Sequence, residues 1–100
     1  MKKSQVASPK FLSIDIGGSH IKATILNDKG GLTMNYEKVE TPLPANPENV
    51  VNAIKKLVKP FSQYDMVSVG FPGYVKNGVI KTAPNLGSDS WKDFDLSHCF

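Results

Sequence analysis

The stretch FLSIDIGGSHIKATIL, residues 11–26, decides the fold of this chain. It contains two short runs rich in β-branched residues, 11–16 and 21–26, with a Gly-Gly-Ser turn between them. This pattern is typical of a β-hairpin, because glycine adopts the backbone conformations that tight turns require. The sequence therefore predicts that the fold begins with two antiparallel strands.

Two further strands extend the hairpin into a sheet. Residues 32–39 alternate apolar and polar side chains, with Leu32, Met34 and Tyr36 on one face, as a half-buried third antiparallel strand does. The apolar run MVSVG, residues 66–70, follows a predicted helix. Since a strand that follows a helical crossover lies parallel to an earlier one, we expect a buried strand beside the first. The fold class is therefore α/β, with a mixed sheet.

The helix of this crossover has a clear beginning and end. The prolines of the segment TPLPA, residues 41–45, exclude regular structure there, so this segment is a connector. Asn46 is a suitable cap, and Pro47 stands at the first helical position. Apolar residues then recur at helical spacing until Pro60 ends the run. We expect this helix to pack on the sheet.

The remaining segments are shorter. Residues 1–10 are mostly polar and predict a flexible arm ahead of a single unit, 11–100. Two apolar pairs, 74–75 and 79–80, flank a Lys-Asn-Gly turn, which indicates a second, small hairpin. Trp91 is expected in the core, and DFDL, residues 93–96, resembles the opening of a helix.

Composition limits the classes of function. The 100 residues carry 12 cations against 9 acidic groups, a net charge of +3, and every cation is lysine. Because lysine binds phosphate as a point charge and base reading relies on the arginine fork, small phosphates are favoured over nucleic acid. No signal peptide or membrane span is visible, and the single Cys99 fits a reducing compartment. We therefore expect a cytoplasmic protein without nucleic-acid or membrane partners.

The hairpin carries the residues of a phosphate site. The glycines Gly17 and Gly18 allow backbone amides to approach phosphate oxygens, Ser19 adds a hydroxyl and Lys22 a cation. Asp15 can hold Mg²⁺ through water, since hard cations prefer oxygen ligands. The spacing alone leaves a plain β-turn equally open. The sequence contains neither the GxxxxGK[ST] pattern of a Walker loop nor the GxGxxG pattern of a Rossmann loop, so both of these phosphate loops are excluded.

Four motifs in order resemble the ROK family of sugar kinases and regulators. They are DIGGSxxK at 15–22, SVGFPGYV at 68–75, NGVIKTAPNLG at 77–87, and Trp91. The resemblance implies the N-terminal lobe of an actin/hexokinase-like (ribonuclease H-like) ATPase fold, apparently truncated. Ser19 stands where most relatives have threonine, so the hydroxyl is retained.

The resemblance also implies roles for particular residues. The hairpin from Asp15 to Lys22 would be the first phosphate motif, whereas Gly70, Pro72, Gly73 and Asn85 would line a sugar cleft. As an alternative, Phe71, Pro72 and Gly73 form a simple turn at the end of a strand, and Asn85 is a turn residue after Pro84. The catalytic base, an aspartate in the family pattern, would lie downstream of residue 100, so no catalytic residue is assigned within the chain.

The other candidate side chains have structural explanations. The carboxylates Asp89, Asp93 and Asp95 flank a loop and a helix start, where capping and solvation account for them. His20 falls in a strand and His98 has no evident partner, so neither is assigned as a ligand.

The implied activity is that of a glucokinase. With Mg²⁺, such an enzyme transfers a phosphoryl group from ATP or polyphosphate to the 6-hydroxyl of glucose or a related hexose. The resemblance further implies a homodimer at full length and no activity for these 100 residues alone. A sugar-sensing regulator is the alternative, although such relatives usually carry a helix-turn-helix that the ten residues before Phe11 cannot hold. A lobe that binds a partner through an open sheet edge is a third possibility.

Overall fold

The computed structural model describes residues 8–31 and 35–99, and a four-stranded mixed sheet is its centre. The strands of this sheet are β1 Phe11–Ile16, β2 His20–Leu26, β3 Glu37–Glu40 and β4 Met66–Gly70, in the order β3-β2-β1-β4. A separate hairpin pairs β5 Val75–Lys76 with β6 Val79–Ile80. The helices are α1 Pro47–Val58, the short α2 Ser88–Trp91 and a 3₁₀ turn over Leu96–Cys99.

The sheet is paired as the sequence predicts. β1 is antiparallel to β2 and parallel to β4, and β3 is antiparallel to β2. Alternate residues of β1 and β2 form the buried face, because successive side chains of a strand point to opposite sides. The buried members are Leu12, Ile14, Ile16, Ile21, Ala23 and Ile25. The opposite face carries the polar residues of the hairpin.

Helix α1 covers the apolar face of the sheet. The side-chain oxygen of Asn46 accepts a hydrogen bond from the amide of Asn49 at 2.9 Å, which confirms the predicted cap. Val50 and Ile54 belong to the same core cluster as the strands, and both are fully buried. The helix ends at Val58, two residues before Pro60. This amphipathic helix therefore closes the core on one side only.

Trp91 joins the second half of the chain to this core. Its side chain is fully buried, and its indole N–H donates to the carbonyl of Ala45 at 2.7 Å. The ring packs against Phe71, 5.0 Å between centroids, and meets Phe94 edge-on at 5.6 Å. The prediction that Trp91 is a core residue is confirmed.

Strand β4 is exposed, so the prediction of a buried strand is wrong. Met66 is 56% exposed and Val67 38%, because β4 lies at the edge of the described sheet with β1 as its one neighbour. An edge strand with apolar side chains offers unpaired backbone groups and apolar area to whatever packs beside it. The sequence thus predicted the pairing of β4 correctly, but not its burial.

Two element boundaries also differ from expectation. The third strand begins at Glu37, so Tyr36 precedes it, and Leu32 and Met34 lie outside the described residues. The helix expected over residues 93–96 is absent there, because Asp93 has a left-handed backbone with φ of 66°. The 3₁₀ turn begins later, at Leu96, and the preceding Asp95 accepts a hydrogen bond from the amide of Ser97.

The predicted N-terminal arm lies mostly outside the described residues. Its last residue, Lys10, is held in place: its amide donates to the carboxylate of Asp65 at 2.8 Å, and its carbonyl accepts from the Asp65 amide. The described ranges contain no helix that is both long and apolar enough to cross a membrane.

The hydrogen bond of Trp91 yields a stability prediction. Trp91→Phe removes the donor to the carbonyl of Ala45 and leaves space in the core, so we expect the free energy of unfolding to fall by about 2 kcal/mol. Chemical denaturation followed by circular dichroism measures this. Tyr74→Phe, at a side chain that is 58% exposed, is the control and should change little. An equal effect of both substitutions would contradict the role of Trp91.

Candidate functional site

The turn between β1 and β2 presents two unused backbone donors. The amide of Gly17 is already engaged, since it donates to the carbonyl of His20 at 2.9 Å. The amides of Gly18 and Ser19 donate to no described residue, and both residues are exposed. Adjacent free amides in a tight turn form a concave site for an anion. Gly17 thus shapes the turn, whereas Gly18 and Ser19 offer the donors.

Thr41 fastens this turn from behind. Its hydroxyl donates to the carbonyl of Gly17 at 2.7 Å, and its amide donates to the carbonyl of Ser19 at 2.8 Å. The residue is buried, with 7% of its surface exposed. In a trans peptide the N–H points away from the C=O, so the Gly18 amide, which shares a peptide unit with the Gly17 carbonyl, is directed away from Thr41. Sequence reasoning placed Thr41 in the connector, and no local pattern reveals this role.

Asp15 and Lys22 lie side by side on the polar face of the sheet. They are paired in the β1–β2 register, and Gly70 is paired with Asp15 in β4. A Cβ atom on Gly70 would lie 3.4 Å from a carboxylate oxygen of Asp15, so this glycine leaves room for the carboxylate. Asp15 is exposed and forms no ion pair with a described residue. Its carboxylate is therefore available to a cation.

Asn85 brings the second half of the chain to the hairpin. A Cβ atom on Gly18 would lie 3.2 Å from the Cβ of Asn85, so the two loops touch. This proximity unites a predicted phosphate-binding residue with a predicted sugar-binding residue that follows it by 67 positions (85 − 18). The candidate phosphate and sugar segments therefore form one surface.

Gly73 permits a second close approach. A Cβ atom there would lie 1.9 Å from the carbonyl oxygen of Thr82, a distance that no side chain tolerates. Its amide donates to the carbonyl of Phe71 at 2.9 Å, and Pro72 lies half-buried in the same turn. This turn follows β4 directly, so Gly70, Pro72 and Gly73 lie at the carboxyl end of a parallel strand, where α/β sheets bind ligands.

The predicted site residues thus form an open shelf. All of them except Gly17 and Pro72 are exposed, and they lie at the adjacent ends of β1 and β4 and in the two loops beside them. The described residues contain no cluster of three or more potential metal ligands among histidine, cysteine and acidic side chains. A cation at Asp15 would therefore need further ligands from water or substrate.

Asp93 and Asp95, two of the three carboxylates that the sequence analysis explained by capping and solvation, have local partners. Asp93 pairs with Lys81 at 3.1 Å. Asp95 accepts from the hydroxyl of Ser97 and contacts His98, and the hydrogen bond from Ser97 is the main cause that lowers the pKa of Asp95. Neither carboxylate contacts the shelf. Asp95 thus caps the 3₁₀ turn, in line with the expected capping, whereas the ion pair of Asp93 with Lys81 was not predicted from the sequence.

Known proteins are similar to this chain over the same residues that form the sheet and the shelf. A family model described as ROK family matches residues 11–100. Polyphosphate glucokinase from Mycobacterium leprae (strain TN) is 43% identical over 79 residues, which cover 78% of this chain and 24% of that protein. Polyphosphate glucokinase from Mycobacterium tuberculosis (strain ATCC 25618 / H37Rv) is 40% identical over 79 residues, 78% of this chain and 29% of that protein.

Solved structures share the fold over most of the chain. Inorganic polyphosphate/ATP-glucomannokinase from Arthrobacter sp. strain KM superimposes with a TM-score of 0.82 at 34% identity, over 91% of this chain and 39% of that one. A ROK family glucokinase from Streptomyces griseus, in complex with glucose and AMPPNP, has a TM-score of 0.75 at 28% identity, over 90% and 28%. The predicted actin/hexokinase-like lobe is confirmed. The chain spans only a minor part of each relative's length.

The role of Thr41 can be tested by hydrogen exchange. Thr41→Val removes the donor to the carbonyl of Gly17 and keeps the shape of the side chain. We expect the Gly17 amide to exchange about five times faster, as the loss of a hydrogen bond worth about 1 kcal/mol implies. Nuclear magnetic resonance measures the exchange rate, and Thr41→Ser, which keeps the hydroxyl, is the control. Equal rates in the two variants would contradict the role.

Proposed function

Because the chain belongs to the ROK family, we propose that it is the N-terminal part of a glucokinase-like sugar kinase. The complete enzyme would transfer the terminal phosphoryl group of ATP or polyphosphate to the 6-hydroxyl of glucose or a related hexose. The names of the relatives support both donors, since two are polyphosphate glucokinases and one solved glucokinase holds glucose and AMPPNP. In this proposal residues 11–100 supply the donor site and part of the sugar site.

The observation that carries the proposal is the free carboxylate of Asp15 beside the free amides of Gly18 and Ser19. Phosphoryl transfer needs charge neutralisation and positioning more than covalent chemistry. The two amides and the hydroxyl of Ser19 would hold terminal phosphate oxygens, and Lys22 would add a positive charge on the same face of the sheet. These groups are already oriented, so binding requires little reorganisation.

The residues around Asp15 fit a magnesium site. An exposed carboxylate that pairs with no described cation, next to a proposed phosphate site, is a typical ligand for Mg²⁺ that keeps its waters. When bound, Mg²⁺ would neutralise part of the donor's charge. Asp15 would hold it through water, and Gly70 keeps the space around the carboxylate open.

The sugar would lie next to the donor. We assign this role to Gly70, Pro72, Gly73 and Asn85, and the contact of Asn85 with Gly18 supports the assignment because it would align hexose and phosphate. None of the acidic residues described on the shelf is positioned as a general base for the hydroxyl, since Asp15 is used for the cation. We propose that the base lies in the part of the enzyme beyond residue 100, so residues 1–100 alone would be inactive.

Two further expectations remain predictions. The homodimer of the complete protein rests on the family resemblance alone. The cytoplasmic location rests on composition and on the single cysteine.

Asp15→Asn in the full-length protein tests the proposal. We expect kcat for glucose phosphorylation to fall by about a hundredfold or more, as is usual when a preorganised charged group is lost from a transfer site. A coupled assay for the sugar phosphate measures this with ATP and with polyphosphate. Asp28→Asn, at an exposed residue in the turn after β2, is the control and should keep full activity.

Two results would contradict the proposal. An unmodified full-length protein that binds glucose and phosphorylates no hexose with either donor would be a sugar-binding regulator. Equal activity of the Asp15 and Asp28 variants would remove Asp15 from the transfer site.

A further inference from the structure

A row of four residues crosses the polar face of the sheet and continues beyond the proposed donor site. Gly70 is paired with Asp15, Asp15 with Lys22, and Lys22 with Lys38. Residues paired in this way share a face of the sheet, and neighbouring strands lie about 4.8 Å apart. The backbone of Lys38 on β3 is therefore about 10 Å from that of Asp15, two strand spacings away.

The two lysines of this row form no ion pair with a described carboxylate. The ion pairs of the described residues are Lys81–Asp93 and His98–Asp95, both outside the sheet. Lys22 and Lys38 lie directly opposite each other, an arrangement that is unfavourable for like charges. Two neighbours compensate this repulsion in part: Asp15 is paired with Lys22 on its other side, and the ring centroid of Tyr36 lies 5.7 Å from the Lys22 ammonium group. An anion that contacts both lysines would remove this repulsion.

Lys38 also lines a groove between β3 and α1. The groove has a volume of about 640 Å³. The described residues that line it are the lysines Lys38 and Lys56, the acidic Glu40, the polar Asn49 and Asn52, and the apolar Val39, Pro42, Ala53 and Leu57. Among these described residues one is acidic and two are lysines, and none is aromatic, so they offer no surface on which a nucleobase could stack.

We propose that Lys22, Lys38 and this groove bind the distal part of a polyphosphate chain whose reacting end lies at Gly18 and Ser19. The inference rests on the proposed function, because it extends the donor site of that reaction. Polyphosphate carries charge along its whole length and has no base or sugar. Separated lysines, which bind phosphate as point charges, and a groove without a stacking surface match that chemistry.

The two donors of the proposed reaction would use this path to different extents. The three phosphates of ATP would stay near the hairpin, where Lys22 is the closest lysine of the row. A long polyphosphate would continue to Lys38 on the edge strand β3 and pass around that edge to Lys56, because α1 lies on the opposite face of the sheet. Loss of these two outer lysines would therefore weaken the long donor more than the short one.

The experiment uses the full-length protein with Lys38→Gln, Lys56→Gln and the double variant. We expect KM for long-chain polyphosphate to rise about threefold to fivefold for each single change, as the loss of one surface charge contact implies. The rise for tripolyphosphate and for ATP should be smaller. The salt dependence of KM for the long chain should also become shallower, because fewer counterions are released.

Lys55→Gln is the matched control. Lys55 is exposed and precedes Lys56 on the same helix, but it does not line the groove. Its substitution removes the same net charge, so a general electrostatic effect would appear in it equally. Lys38→Arg, which keeps the charge, should restore most of the affinity for the long chain.

The outcomes separate the inference from the proposed function. Equal KM values for long-chain polyphosphate in the Lys38, Lys56 and Lys55 variants would overturn the path and leave the kinase proposal intact. Phosphorylation with ATP but not with polyphosphate would do the same. If no donor supports phosphorylation, the proposed function fails. Calorimetric binding of long-chain polyphosphate to the same variants then decides whether the path exists without the reaction.

Discussion

The antiparallel pairing of β1 with β2 is the constraint on which the rest of the structure depends. This register places Asp15 opposite Lys22 and puts the apolar residues of both strands against α1. A shift by one residue would turn every side chain to the other face, so the carboxylate would enter the core. The burial of six apolar side chains in these two strands opposes such a shift. The stability of the core and the position of the candidate site therefore have the same origin.

Close backbone contacts at glycine connect this hairpin to the later segments. Gly18 touches Asn85, and Gly73 lies against the carbonyl of Thr82, so the loops after β1, β4 and β6 form one surface. A side chain at either glycine would force these segments apart. In the proposed reaction, the spacing of these loops sets the separation between the phosphoryl donor and the sugar. Small changes in that separation have large effects on the reaction rate.

The connector between β3 and α1 is fastened at both ends. Thr41 binds the two carbonyls of the phosphate turn, and the carbonyl of Ala45 accepts the hydrogen bond from Trp91. A segment whose prolines exclude helix and sheet thus joins the exposed shelf to the most deeply buried aromatic side chain. The polar row ends at Lys38 on β3, the strand that leads into this connector.

The sequence by itself determined the local features of this protein. The hairpin and the cap at Asn46 could be predicted, because each depends on residues within a few positions of one another, and the order of the motifs is a property of the sequence itself. Only the tertiary structure decided the hydrogen bonds of Thr41, the contact of Gly18 with Asn85 and the row from Asp15 to Lys38. These features depend on strand register and on residues far apart in the chain, which no local pattern encodes. The exposure of β4 likewise follows from its place at the edge of the described sheet. An apolar sequence alone does not tell whether a strand has a neighbouring strand on one side or on both.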